Sequence, residues 1–305
     1  MTGMRPQPAG SDRVSTSLII SSRDRHAFLE RVVMSVMAGT KLPDELIVID
    51  QSDEPSVALA ALAERRRNWL RYIVSAERGL SRGRNLGITT ARGAWLFFID
   101  DDVIVPPDWF ERLSHAIQTA EQPAVVTGRV IAGEPERDGA FAPSLSLSEE
   151  PIVHRGRPGR DVLLPHNMAM PKSVFEEIGL FDTRLGAGSH FPSSEDNDLG
   201  FRLLEAGYSI VYDPAIVVVH RAWRGPRALL ALRWSYGRGQ GAYFAKYASR
   251  KDPYMFERFR LDLWRHVRRA PGRALRDVRE GAADLVYSAA LVAGAVEWLI
   301  TSRHR

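Results

Sequence analysis

The chain has 305 residues, 45% of them hydrophobic and 26% charged, and contains no cysteine. This is a globular composition, which excludes disordered and fibrous classes, a disulfide framework, thiolate metal sites and a cysteine nucleophile. Any metal must therefore be held by Asp, Glu or His. The net charge of +4 hides an asymmetry: residues 224–305 hold 17 Lys and Arg against 7 Asp and Glu, a balance of +10, while residues 1–223 carry −6. Residues 1–13 lack the apolar core of a signal peptide and read as a loose polar leader, which points to a cytoplasmic protein.

From Ser15 short β-branched runs alternate with amphipathic stretches. The pattern predicts strands at 16–21, 45–50, 70–74 and 94–100, separated by helices at 27–37, 57–67 and 81–91. Successive β-α units favour parallel pairing, so the fold class is α/β with a mostly parallel, Rossmann-like sheet and helices on both faces. A helix at 109–120 and a strand at 125–131 follow, and residues 132–165 read as a long irregular loop. Order returns at 167–170, followed by a helix at 172–178 stopped by Gly179. A further helix over 195–206 has Ser193 or Ser194 as its cap, Glu195 and Asp196 in its first turn, and Gly207 just past its end. Two short strands, 210–212 and 216–219, end at His220. Beyond Trp223 the chain becomes Arg-rich, aromatic and helical, a C-terminal extension over 224–305.

Three carboxylates, Asp100, Asp101 and Asp102, directly follow the fourth strand, where ligands bind in open α/β sheets. Extended alternation would put Asp100 and Asp102 on one side, a hard oxygen pair suited to Mg²⁺ or Mn²⁺ on a diphosphate. The plainer alternative is an acidic turn capping the helix that begins near Asp108. Glu195 and Asp196 could likewise be helix-terminal acids, His220 a core histidine, and Asp50 a turn residue. The glycine-rich stretch from Glu77 to Asn85, with its arginines, could cradle phosphates, although it has no Walker or dinucleotide spacing.

Taken in order, these pieces resemble the family 2 glycosyltransferases, nucleotide-sugar-dependent enzymes of the GT-A fold. The matching stretches are Ser17 to Arg25, Glu45 to Ser52, Gly79 to Gly87, Phe98 to Asp102, Asn167 to Ala169, Gly179 to Asp182, Glu195 to Arg202, Ala206 to Tyr208, and Val219 with His220. The resemblance covers about residues 14–223, with a donor half over 14–131 and an acceptor half over 132–223. It implies that Asp196 is the general base, with Glu195 beside it for support or acceptor binding, and that Asn167 also meets the acceptor. It further implies donor-nucleotide contacts from Ser22, Asp24, Arg25, Asp50, Arg84, Asp100 and Asp101. Asp100, Asp102 and His220 would hold the Mn²⁺ or Mg²⁺. Two departures stand out: Ser21, Ser22 and Arg23 replace a frequent Pro-Thr pair and tyrosine, and Gln51 replaces a common acid.

The expected reaction is transfer of a sugar, with inversion, from a nucleotide-diphosphate sugar to the hydroxyl of a carbohydrate, lipid-linked or other acceptor. Its setting would be the synthesis of cell-surface polysaccharide, glycolipid or glycoconjugate. The expected donor is a UDP-sugar first, with GDP- and dTDP-sugars behind it. A sugar nucleotidyltransferase would carry a glycine-rich, lysine-containing loop after its first strand, which Ser21 to Arg25 does not supply. A catalytically inactive carbohydrate-binding protein would be favoured by loss of Asp102 or Asp196, and both are present. The basic, aromatic extension suggests peripheral binding to an anionic membrane at the inner face of the plasma membrane, with packing on the catalytic domain or a second subunit as the alternative. Only twelve uninterrupted apolar residues separate Asp284 from Glu297, short of a membrane span, and no motif accompanies the charge that would recognise nucleic acid.

Overall fold

The structure, a computed structural model, describes residues 14–135, 140–221 and 223–302; the leader read at 1–13 lies outside them. Four parallel strands lie in the order β3-β2-β1-β4: β1 (Thr16–Ser22), β2 (Glu45–Asp50), β3 (Leu70–Val74) and β4 (Trp95–Asp100). Helices α1 (His26–Met37), α2 (Val57–Arg65) and α3 (Leu80–Thr90) form the crossovers. Because helices cover both faces, the central strands are apolar throughout rather than alternating. Leu18, Val48 and Phe97 enter one core layer, and Ile19, Ile47 and Phe98 the other. The register pairs Ser22 with Asp50 and Ser21 with Asp100, so β1, β2 and β4 all finish at one edge.

The sheet then changes direction. β5 (Val103–Ile104) and α4 (Trp109–Thr119) precede β6 (Ala124–Ala132), β7 (Ile152–His154), β8 (Met168–Pro171), α5 (Val174–Ile178), α6 (Glu195–Glu205) and β9 (Ser209–His220). β8 runs antiparallel to both β4 and β6, β6 parallel to β9, and β5 antiparallel to β9. The two short strands expected before His220 are one strand of 12 residues. Its register shifts at Gly128/Arg129, so Gly128 faces Asp213 and Arg129 faces Val217. A bulge around Pro214, which has no N–H to give the ladder, produces the break seen in the sequence. The Val103 to His220 pairing delivers that histidine to the carboxylates after β4.

A short 3₁₀ turn (Pro226–Ala228) leads to three helices: α7 (Leu229–Tyr247), α8 (Tyr254–Ala274) and α9 (Val278–Ser302). α7 packs against α9 backbone to backbone, since a Cβ on Gly237 or Gly241 would collide with the carbonyls of Tyr287 or Leu291. It also docks on α6, where Lys246 and the Tyr247 hydroxyl both reach the fully buried Asp198. Of the two expectations for the extension, packing on the catalytic domain is therefore realised by α7. α9 is long and apolar enough to cross a membrane by length and composition, and one face of it is buried in protein through Ala283, Tyr287, Leu291 and Trp298.

Candidate active site

A cleft of about 830 Å³ opens at the strand edge where β1, β2 and β4 finish. All three carboxylates after β4 line it, but not in the alternation of an extended chain. The strand stops at Asp100, and Asp101 and Asp102 sit in a turn. Both therefore face Arg25, whose Nη1 donates to Asp101 and Nη2 to Asp102, each at 2.7 Å. Asp100 points elsewhere, to Arg84 Nη2 at 2.8 Å and His166 Nδ1 at 2.5 Å. The expected division, Asp100 with Asp102 against Asp101, is corrected to Asp100 against the other two.

These partners set the charges. Burial works against ionisation of Asp100, but His166 and then Arg84 outweigh it and hold the carboxyl far below its usual range. Burial pushes Asp101 up to about 7; Arg25 and the Ser22 hydroxyl, at 2.5 Å, oppose the rise, while Asp102 and Asp100 add to it. Asp102 is also opposed by burial, yet His220 and Arg25 keep it low.

Asp102 Oδ1 lies 3.2 Å from His220 Nε2, in a geometry that is not a hydrogen bond's, and is otherwise buried without a partner. His220 Nδ1 lies 3.2 Å from the Pro143 carbonyl, which can only accept, so that nitrogen carries a proton and Nε2 is the one turned to Asp102. A carboxylate oxygen and an imidazole nitrogen that face each other at this distance fit a divalent cation, which would take the place of any proton on Nε2. Among the described residues no group of three or more His, Asp or Glu forms a ready-made metal cage. Two protein ligands are enough where a diphosphate and water supply the others.

Several residues expected at the surface of the site lie beneath it. Asp50 is fully buried; its carboxylate accepts the Tyr72 hydroxyl and the backbone N–H groups of Ser52, at 2.9 Å, and Ser56, at 3.4 Å. Burial alone would raise its pKa, but the hydrogen bonds from Ser52 and Tyr72 bring it below the ordinary value. The adjoining Gln51 lines the cleft in its place. Asn167 is also fully buried: it accepts the Trp109 indole N–H at 2.9 Å and donates to the carbonyls of Ile216 and Arg129 at 2.9 and 3.2 Å. It pins α4 to two strands, and its neighbour His166 lines the cleft. Arg84 sits behind the wall, where it pairs with Asp100 and, 111 residues further along the chain, with Glu195 Oε1 at 3.1 Å. The stretch from Glu77 to Asn85 spends its groups on protein: the Leu80 N–H goes to the Ala187 carbonyl at 2.9 Å, and Arg78 pairs with Asp53. Ser22, Asp24 and Arg25 do line the cleft.

Glu195 and Asp196 open α6 at the opposite wall. Ser194 stands at the cap position in a left-handed conformation, φ 70°, without capping the helix through its side chain. Its hydroxyl instead donates to Gln240 Oε1 of α7 at 2.9 Å, and Asn197 Nδ2 donates to the same oxygen at 2.7 Å. The dipole at a helix N-terminus favours an ionised carboxylate at Asp196. Burial, followed by the negative Glu195 beside it, instead raises it to about 7, against the Asn197 backbone N–H and the more distant Arg84. Such a value suits a group that must take up a proton near neutrality.

The C-terminal helices complete the cleft through Arg233, Tyr236 and Gln240 of α7, His266 of α8 and Tyr287 of α9, with Arg224 just before them. None of these was singled out from the sequence, nor was His166. His166 carried one local signal, a titratable side chain immediately before the ordered stretch expected from Asn167. The helical residues carried none, because which face of a helix meets the cleft depends on tertiary packing.

Residues 17–179 match the sequence profile described as Glycosyl transferase family 2. The chain is 25% identical over 217 residues to a glucosyl-dolichyl phosphate glucuronosyltransferase of Haloferax volcanii, covering 68% of this chain and 69% of that one. It is 23% identical over 232 residues to the succinoglycan biosynthesis protein ExoO of Rhizobium meliloti, covering 72% of this chain and 64% of that one. The fold is shared with the mannosyltransferase PcManGT of Pyrobaculum calidifontis, solved with GDP-Man and Mn²⁺, at a TM-score of 0.57 and 16% identity over 97% of this chain and 90% of that one. It is shared too with GalNAc-T7, solved with UDP, GalNAc and Mn²⁺, at a TM-score of 0.55 and 16% identity over 79% of this chain and 52% of that one. The profile match over residues 17–179, which takes in the strand edge and its carboxylates, places this chain in glycosyl transferase family 2.

Proposed function

We propose that the protein transfers a sugar from a nucleotide-diphosphate sugar to an acceptor hydroxyl, with inversion and with Asp196 as the base. The observation that carries this reading is the opposition, in one cleft, of the Asp102 and His220 pair to an Asp196 poised near 7. Transfer to a hydroxyl needs a base for the incoming oxygen, stabilisation of the leaving diphosphate and alignment of the two. Asp196 takes the proton, and Glu195, held by Arg84, fixes its surroundings. Asp102 and His220, with Asp100 nearby, would hold Mn²⁺ or Mg²⁺, which when bound supplies positive charge to the leaving diphosphate. Arg25 keeps Asp101 and Asp102 in place. One base facing the leaving group gives a single displacement and therefore inversion.

The solved neighbours hold GDP-Man or UDP with Mn²⁺, which supports a nucleotide-sugar donor and a divalent ion here. UDP-, GDP- and dTDP-sugars are the donors to test. The acceptor is a carbohydrate or lipid-linked hydroxyl in cell-envelope synthesis, and the protein works in the cytoplasm at the inner face of the membrane. The outer face of α8 supports that location: Phe256, Leu261, Trp264 and Val267 are exposed among Arg260, Arg265 and Arg268. A thermal-shift and calorimetric screen of nucleoside diphosphates and nucleotide sugars, with and without Mn²⁺, tests the reading. Mn²⁺-dependent binding that Asp102→Ala abolishes supports it; unchanged affinity in that variant refutes the assigned ion site.

A further inference from the structure

Among the described residues, the wall built by the C-terminal helices carries charge that no side chain takes up. Four arginines line the cleft among the described residues: Arg23, Arg25, Arg224 and Arg233. Arg25 is taken by Asp101 and Asp102, and Arg23 lies 3.1 Å from Asp24. Neither Arg224 nor Arg233 has a carboxylate or a side-chain hydrogen bond among the described residues. Asp161, which also lines the cleft, is committed to Arg258 Nη2 and Gln240 Nε2, each at 2.8 Å.

Position says what these cations face. Arg233, Tyr236 and Gln240 follow one another at spacings of three and four along α7 and so share its cleft-facing side. Gln240 holds the turn that opens the helix of the base, and Tyr236 lies within electrostatic reach of Arg224, Asp196 and Glu195. Beyond Arg233 stand Tyr287, whose hydroxyl donates to Asp262 Oδ2 at 2.8 Å, and His266, stacked on the Tyr287 ring at 4.0 Å between centroids. This is the side of the cleft where an acceptor must lie to reach Asp196. Fixed aromatic faces and two unspent guanidiniums there suit a hydroxyl-bearing molecule that also carries a phosphate or carboxylate.

Building on the transferase reading above, we propose that Arg224 and Arg233 form an acceptor-side anion subsite, so that the acceptor is an anionic glycan or glycoconjugate rather than a neutral sugar. The same guanidiniums could bind an anion from another source, the diphosphate of the donor, and the test separates the two. The full-length protein is saturated with Mn²⁺ and whichever nucleoside diphosphate it binds, which fills the donor site. It is then titrated calorimetrically with glucose 1-phosphate, glucuronate and methyl glucoside. One of the anionic sugars, or both, should bind at least tenfold tighter than methyl glucoside. Arg233→Ala and Arg224→Ala should erase that preference, Arg233→Lys should retain part of it, and nucleoside diphosphate affinity should change less than twofold in all three. Equal binding of the three probes overturns the proposal. A loss of nucleoside diphosphate affinity in the alanine variants also overturns it and assigns the arginines to the donor. If the unsubstituted protein binds no nucleoside diphosphate with Mn²⁺, the transferase reading itself fails and the subsite falls with it.

Discussion

The side-chain oxygen of Gln240 accepts the hydroxyl proton of Ser194 at 2.9 Å, so a residue of the C-terminal extension holds the turn that opens the helix carrying Asp196. Ser194 keeps a left-handed backbone, which a serine adopts at a cost and which its surroundings must maintain. Gln240→Leu removes the acceptor for both Ser194 and Asn197. We expect turnover to fall by up to about a hundredfold through misplacement of the base, the scale on which a displacement of about 1 Å acts. Nucleoside diphosphate affinity, measured by calorimetry, should hold; a parallel loss of both would show that α7 supports the whole cleft rather than the base.

Asp196 must be ionised to accept a proton, and its raised value puts the change near neutrality. The rate of single-turnover transfer should therefore rise with pH and level off above about 7. Asp196→Asn should lower it by roughly a hundredfold or more and remove the acid limb, with donor affinity little changed. Glu195→Gln removes the negative neighbour that helps raise Asp196, so its limb should move to lower pH. A limb that stays in place in Glu195→Gln, or survives in Asp196→Asn, assigns the titration to another group.

Asn167 is a structural pin in this fold, its side chain spent on Trp109, Ile216 and Arg129. Asn167→Ala strips the Trp109 indole N–H and two buried carbonyls of their partner. The expected loss is about 2–4 kcal/mol in denaturant unfolding, the sum of a few unsatisfied buried groups. A variant of normal stability that has lost acceptor affinity would restore the role first read from its place in the sequence.

Membrane contact should depend on the outer face of α8, where Arg268 lies 4.9 Å over the Trp264 ring and Phe256 is 55% exposed. In liposome sedimentation the protein should pellet with anionic vesicles, less so in high salt, and remain in solution with neutral ones. Phe256→Glu with Trp264→Glu should abolish pelleting while Mn²⁺-dependent nucleotide binding persists. Deleting the whole extension is a poor test, since it removes a wall of the cleft. Pelleting that ignores vesicle charge points instead to α9, whose Leu285, Val292, Val296 and Leu299 are exposed on one face.

The frame of the molecule was legible because its signals are local. β2 and β3 fall at 45–50 and 70–74 as the apolar runs predict, and α6 begins at Glu195. What failed was long-range or hidden by burial. Residue type marks Asp50 and Asn167 as polar groups in family motifs, but only packing shows that their hydrogen bonds are spent inside the protein. Alternation put Asp102 beside Asp100 because it assumed that a strand continued where a turn begins. Arg84 could not be placed from its surroundings in sequence, since it owes its position to Asp100 and Glu195 together. The cleft-facing residues of α7 were invisible for the same reason, as an Arg-rich helix looks solvated until its partner is known.

Gly239 fits α7 against the loop before α6 so closely that a Cβ there would stand 2.6 Å from the Ser193 carbonyl and collide with its hydroxyl. The proposed acceptor wall is therefore not a module to be exchanged by grafting another C-terminal segment at Trp223. A chimera would have to transplant the loop from Gly186 to Ser194 together with the helices, as mated halves of one moulding. Random mutagenesis aimed at new acceptors should leave Gly239 untouched and vary Arg233, Tyr236 and Tyr287, which face the cleft.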